Sequence, residues 1–136
     1  MKCLKEKLSN PIIRGVVRTA SGMIIEFHNP GVKDLFNLVA TKPNLLKEAI
    51  VADRVIGRGA ALLLIKGGIS QVFASIISKP ALDVFMHHGI DVSYDTLVDN
   101  ILNHSGTDIC PVEKLTMTIS QPDIAFVKIK EFISTK

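Results

Sequence analysis

The segment from Ala52 to Gly68, ADRVIGRGAALLLIKGG, constrains this chain more than any other. Six successive apolar residues, Ala60 to Ile65, leave no polar face, so a helix here belongs in the centre of a core. Asp53 suits an N-cap, where a carboxylate accepts a free backbone N–H. Gly67-Gly68 suits the stop, because glycine takes the left-handed C′ conformation without a Cβ clash. The expectation is therefore a helix over 54–66. Arg54 and Arg58 then put positive charge at the already positive helix end. Something negative is expected beside them, either Asp53 itself or a ligand.

Alternating patterns flank this helix. Residues 12–19 and 23–28 have strand composition around Ala20-Ser21-Gly22 and read as a β-hairpin, with Asn29-Pro30-Gly31 ending the second strand. Val32, Leu35, Phe36 and Val39 recur at helical spacing over 32–41, and a brief strand is expected around Ala49-Ile50-Val51. Ser70 to Ser78 reads as a strand, Pro80 opens a helix that Gly89 closes, and Ile90 to Tyr94 alternates as a strand. Asp95 is expected to cap a helix through Leu97, Val98, Ile101 and Leu102. A shorter helix starts at Pro111, and Gln121-Pro122-Asp123 opens the last, with Ile124, Val127 and Phe132 facing inward. Residues 1–10 read as a leading helix or a flexible arm. A hairpin followed by alternating helices and strands implies one α/β domain over 1–136, with a sheet covered on both faces.

Composition narrows the function classes. The chain of 136 residues is 47% hydrophobic with only 5% aromatic residues, so it builds an aliphatic core rather than staying disordered. A net charge of +3 slightly favours anionic ligands but falls short of a nucleic-acid-binding stripe. Two distant cysteines, Cys3 and Cys110, do not make a secreted disulfide framework. The N-terminal residues lack the apolar stretch of a signal peptide, and no uncharged run reaches the ~18 residues of a membrane span. A cytoplasmic protein without membrane contact is expected.

Two places could carry chemistry. At the 54–66 helix, Gly57, Ala60 and Ala61 form a thin stripe that suits tight packing against the sheet. The functional alternative is an anion held by Arg54, Gly57, Arg58 and Gly59 through backbone N–H groups and guanidinium. Gly57-Arg58-Gly59 is neither a P-loop nor a dinucleotide fingerprint, since no Gly-Lys-Ser/Thr follows and position 62 is Leu. The second place runs from His104 to Lys114. If Pro111 opens its helix, Cys110 is the N-cap and Glu113 completes a capping box. The alternative makes Cys110 a nucleophile and Glu113 a general acid/base, with Asp53 orienting an arginine or a ligand hydroxyl. His104, Asp108 and Cys110 hold ligand atoms, but no Cys-x-x-Cys or His-x-x-x-His pair organises them, so no metal or other cofactor is expected.

Several motifs together resemble a small prokaryotic family of unknown function with a cytidine-deaminase-like fold. They are Val51 to Gly57 running into Ala60 to Leu63, Lys66-Gly67-Gly68, Ile77 to Leu82, His88-Gly89-Ile90, and Cys110 to Leu115. The resemblance implies a three-layer αβα sandwich around a mixed, five-stranded sheet. It brings no reaction. Zinc deaminases need His-x-Glu or Cys-x-Glu and Pro-Cys-x-x-Cys. Here the residues two after the four histidines are Pro30, Gly89, Ile90 and Gly106, and neither cysteine has a second one three positions on. The first functional expectation is thus a domain that binds a small anionic molecule such as a nucleotide, without zinc chemistry. The alternative is a non-catalytic regulatory or interaction module that uses exposed helices or a sheet edge, with a second copy of itself among its partners.

Overall fold

The computed structural model describes residues 1–29, 31–103 and 105–134. Pro30 and His104, and the readings made of them, lie outside the described residues. Among the described residues, six α-helices and five strands follow one another as α1 (Lys2–Lys7), β1 (Gly15–Arg18), β2 (Ile24–Phe27), α2 (Lys33–Thr41), β3 (Ile50–Ile56), α3 (Arg58–Gly67), β4 (Gln71–Ser78), α4 (Lys79–His87), β5 (Asp91–Val98), α5 (Pro111–Thr116) and α6 (Pro122–Ser134). The strands form one open, mixed sheet in the order β2-β1-β3-β4-β5. β1 pairs antiparallel with both β2 and β3, while β3, β4 and β5 are mutually parallel.

The hairpin, the 32–41 helix, the 70–78 strand and the Pro111 helix all form where the patterns place them. Ser78 is the N-cap of α4, its Oγ accepting the Ala81 N–H at 3.2 Å, with Lys79 preceding Pro80 in the first turn. Gly68 ends α3 in the left-handed region at φ 87°, as a glycine C-cap should.

Alternation along the strands sorts side chains into two clusters. Val17, Val51 and Val72 join the main core with α2, α3, α4 and α6, whereas their neighbours Val16, Ala52 and Phe73 pack under Leu4, Leu8 and Ile13. Because β3, β4 and β5 advance in one direction, right-handed crossovers put α3 and α4 on the same face. The expectation of two covered faces is therefore met unequally. One face carries a full helical layer; among the described residues, α1 alone supplies a helix to the other cluster. Past α1 the row Val55–Ile76–Thr96 is exposed, with Val55 at 40% and Ile76 at 37%.

Three local expectations are corrected. Asp53 is not a helix cap: it lies inside β3, opposite Gly15 on β1 and Ala74 on β4, and α3 begins only after Gly57. Asp95 to Val98 continue the strand instead of starting a helix, because each of Thr96, Leu97 and Val98 finds a partner on β4. That ladder outweighs the helical spacing of Leu97, Val98, Ile101 and Leu102; Leu102 makes only an isolated bridge to Ile109. On α6 the inward face is turned from the expected one. Ala125 and Ile129 are fully buried and Phe126 stacks on Phe36 at 5.0 Å, while Ile124 and Val127 are each 50% exposed. Phe132 is partly buried.

Candidate functional site

The carboxyl ends of parallel strands, where helix N-termini gather, form the usual crevice for ligands in α/β sheets. Here that place holds the chain's own carboxylate. Glu113, on the first turn of α5, is 1% exposed. Its Oε1 accepts the backbone N–H of Arg58 at 3.0 Å and the hydroxyl of Ser78 at 2.6 Å, and its Oε2 accepts the backbone N–H of Ile101. Arg58 is the first residue of α3 and Ser78 caps α4, so one anion serves the positive ends of two helices at once. The negative partner expected beside the arginines is therefore present. It is Glu113 rather than Asp53.

This corrects the capping box expected within α5. The Cys110 N–H donates instead to the Ile101 carbonyl at 2.8 Å, and no side chain caps α5 at Cys110. Cys110 is indeed the N-cap residue, and it is partly buried. Glu113 reaches across to a helix 55 positions earlier, a distance no local pattern reveals.

The Arg58 guanidinium is held by backbone carbonyls. Its Nε donates to the carbonyls of Thr116 (2.8 Å) and Ile119 (3.0 Å), Nη2 to Ile119 (2.7 Å) and Nη1 to Pro80 (3.2 Å). Thr116 ends α5, so the guanidinium meets the negative pole of that helix. Gly59 is packed in the same junction: a Cβ there would collide with Val112 of α5 and come within 3.4 Å of Ile129. Gly57 faces Ile101 and Glu113 at contact distance.

Asp53 and Arg54 belong elsewhere. Four residue steps along the extended chain separate Asp53 from Gly57, about 13 Å at the usual rise. The Asp53 carboxyl and the Phe27 ring both overhang Gly15, each about 3 Å from where a Cβ would stand. Burial pushes the Asp53 pKa up to about 7, opposed by the N–H groups of Arg54 and Val55 and the charges of Arg14 and Arg54. The Arg54 side chain ties down the link between α1 and β1, donating to the carbonyls of Ile13 (2.8 Å), Leu8 and Asn10 (2.7 Å). Asp108 is exposed and paired with Lys114, whose hydrogen bond holds its carboxyl below the ordinary range.

The structure thus brings Gly57, Arg58, Gly59, Cys110 and Glu113 to one junction and leaves Asp53 and Arg54 outside it. Sequence reasoning missed Ser78 and Ile101. A serine just before Lys79-Pro80 carries a cap signal; nothing in the sequence marks Ile101. Among the described residues no cluster of His, Cys, Asp and Glu could hold a metal ion. Among the depressions on the surface, one of about 540 Å³ lies beside Arg18, Ser21 and Glu48, and one of about 420 Å³ beside Met1, Lys5 and Glu6. Both are open, and neither includes a candidate residue. No helix among the described residues is long and apolar enough to cross a membrane.

A mixed α/β sheet whose ligand crevice is filled by an internal carboxylate defines a class by architecture, not by chemistry. Residues 4–133 match the family described as TM1506, a domain of unknown function (DUF1893), and the chain belongs to that family. A crystal structure of a DUF1893 family protein, TM1506 from Thermotoga maritima, is similar at 25% identity with a TM-score of 0.82, over 96% of this chain and 90% of that one. No curated protein matches the chain.

Proposed function

We propose that this protein is a non-catalytic interaction module that binds a protein partner along the free edge of its sheet. The observation that carries this reading is β5. It is eight residues long, pairs among the described residues on one side only, and is exposed along most of its length. An unpaired strand offers a row of N–H and C=O groups to another chain. Tyr94 (40% exposed) and Leu97 (37%) lie on the same strand and add apolar area.

The groups that an anion site would need are engaged inside the molecule. Glu113 takes the α3 N-terminus and Arg58 spends its donors on three carbonyls. We read the scaffold as cytidine-deaminase-like on the strength of the motif resemblance, which the run β3-α3-β4-α4-β5 supports; the missing zinc motifs leave it without that family's chemistry. Two cysteines outside any disulfide suit a reducing cytoplasm.

A thermal-shift screen with nucleotides and phosphorylated metabolites tests the reading, since a ligand of the folded state raises Tm by linkage. The expected result is an unmoved Tm across the library. A saturable shift that Arg58→Ala abolishes would restore the small-molecule reading with an anion at α3.

A further inference from the structure

We infer that the segment received by the β5 edge is basic, an extended stretch of a partner protein that carries Lys or Arg beside Asp91 and Asp95. The inference rests on the interaction reading above and deepens it by giving the partner its chemistry. It starts from an uneven distribution of charge. Although the chain is net positive, residues 80–113 hold six acids and neither Lys nor Arg. All sixteen basic residues, with only seven acids, lie in the rest of the sequence. The strand left open at the edge of the sheet falls within this acidic stretch.

Some of those acids are already engaged. Glu113 is buried at the α3 entrance, Asp108 pairs with Lys114, and Asp99 pairs with Lys79. Asp91 and Asp95, on β5 itself, are different. Both are exposed, and among the described residues the side chain of neither has a hydrogen-bond or ion-pair partner. The neighbouring strand supplies no cation. β4 sets Gln71 opposite Asp91, its ladder passes over Asp95, and it holds no Lys or Arg from Gln71 to Ser78. The open side of β5 is then the place from which a counter-charge would come.

An added strand makes its main-chain hydrogen bonds with almost any sequence, so side chains decide which sequence is taken. Adjacent strands stand ~4.8 Å apart, which brings the side chains of an added strand beside Asp91 and Asp95. Opposite charges in such cross-strand positions attract, and like charges repel. Lys and Arg are favoured there, and acidic segments are rejected. Tyr94 lies between the two acids and is itself exposed, so its ring offers a face on which a guanidinium can stack.

The test is selection of random phage-displayed peptides on the purified protein, followed by binding of the enriched peptide made synthetically. Enriched sequences are expected to combine several Lys or Arg with strand formers such as Val, Ile, Thr and Tyr. Hydrogen exchange is expected to show the bound peptide protecting amides of β5 and leaving those of β2 unchanged. Binding is expected to weaken as salt rises. The double variant Asp91→Asn with Asp95→Asn is expected to weaken it about tenfold, with circular dichroism unchanged.

Enriched peptides without basic residues overturn the inference, as do basic peptides that bind the double variant as tightly as the original. If such peptides still protect β5, only the charge of the partner is wrong and the interaction reading stands. If no peptide is enriched, or none protects β5, both fall.

Discussion

Two ends of the parallel half of the sheet have been treated in opposite ways. At the carboxyl ends of β3 and β4, polar groups meet internal partners: the Arg58 N–H and the Ser78 hydroxyl converge on Glu113, and the Arg58 guanidinium donates to three carbonyls. At the lateral edge, β5 holds on to β4 by its inner side and presents the other to solvent. In the first region a polar group is valuable because it is buried and fully satisfied. In the second it stays open to solvent.

The contrast can be broken most directly at Glu113. Glu113→Ala strands an Arg58 N–H, an Ile101 N–H and the Ser78 hydroxyl in a dry junction, and is expected to cost on the order of 3 kcal/mol or more. Urea denaturation would measure it; a loss below ~1 kcal/mol would mean the junction is wet. Gly59→Ala is the next largest, because its Cβ runs into Val112. Overpacking of this kind costs about 1–3 kcal/mol. The paired variant Gly59→Ala with Val112→Ala should recover part of that loss, which distinguishes a clash from a backbone effect.

Asp53 sharpens the comparison from a third position, since it is an acid within the sheet, half-buried and held by the N–H groups of Arg54 and Val55. Its folded pKa of about 7 stands above the ordinary 3.8, so the native state keeps a proton that the unfolded chain has released. Stability from this group is complete below about pH 4 and is lost as pH rises toward 7. Asp53→Asn should abolish that fall and stabilise the protein at pH 8 by on the order of 1 kcal/mol, with little effect at pH 4. Thermal melts across the range would show it; parallel curves for the two proteins would refute it. Smallest of all, Thr96→Ala on the exposed β5 is expected to move stability by no more than ~0.5 kcal/mol.

Legibility in the sequence followed the range of the interactions. The hairpin, the 32–41 helix and the glycine stop of α3 were readable because alternation, helical spacing and a left-handed glycine are local facts. Six consecutive apolar residues correctly placed α3 at the centre. The start of α3 was not readable. Asp53-Arg54 looks like a helix entrance, and only the packing over Gly15 and the carbonyls of Leu8, Asn10 and Ile13 let those charges sit inside a strand. β5 failed for a related reason, since its strand state comes from β4 rather than from its own spacing. The two arginines did reveal an imbalance of charge at α3. They could not reveal that a glutamate 55 positions later resolves it.

That distant cap sets an order of events for the growing chain. α3 and α4 are complete in sequence by His87, yet the group that quiets their N-terminal ends arrives only with α5. A nascent protein stalled before Pro111 would hold all five strands and α4 capped by Ser78, with the α3 entrance still without its acceptor. Closing so long a loop is slow relative to forming the local turns. The stretch from Pro111 onward thus acts as a clasp on the chain that precedes it.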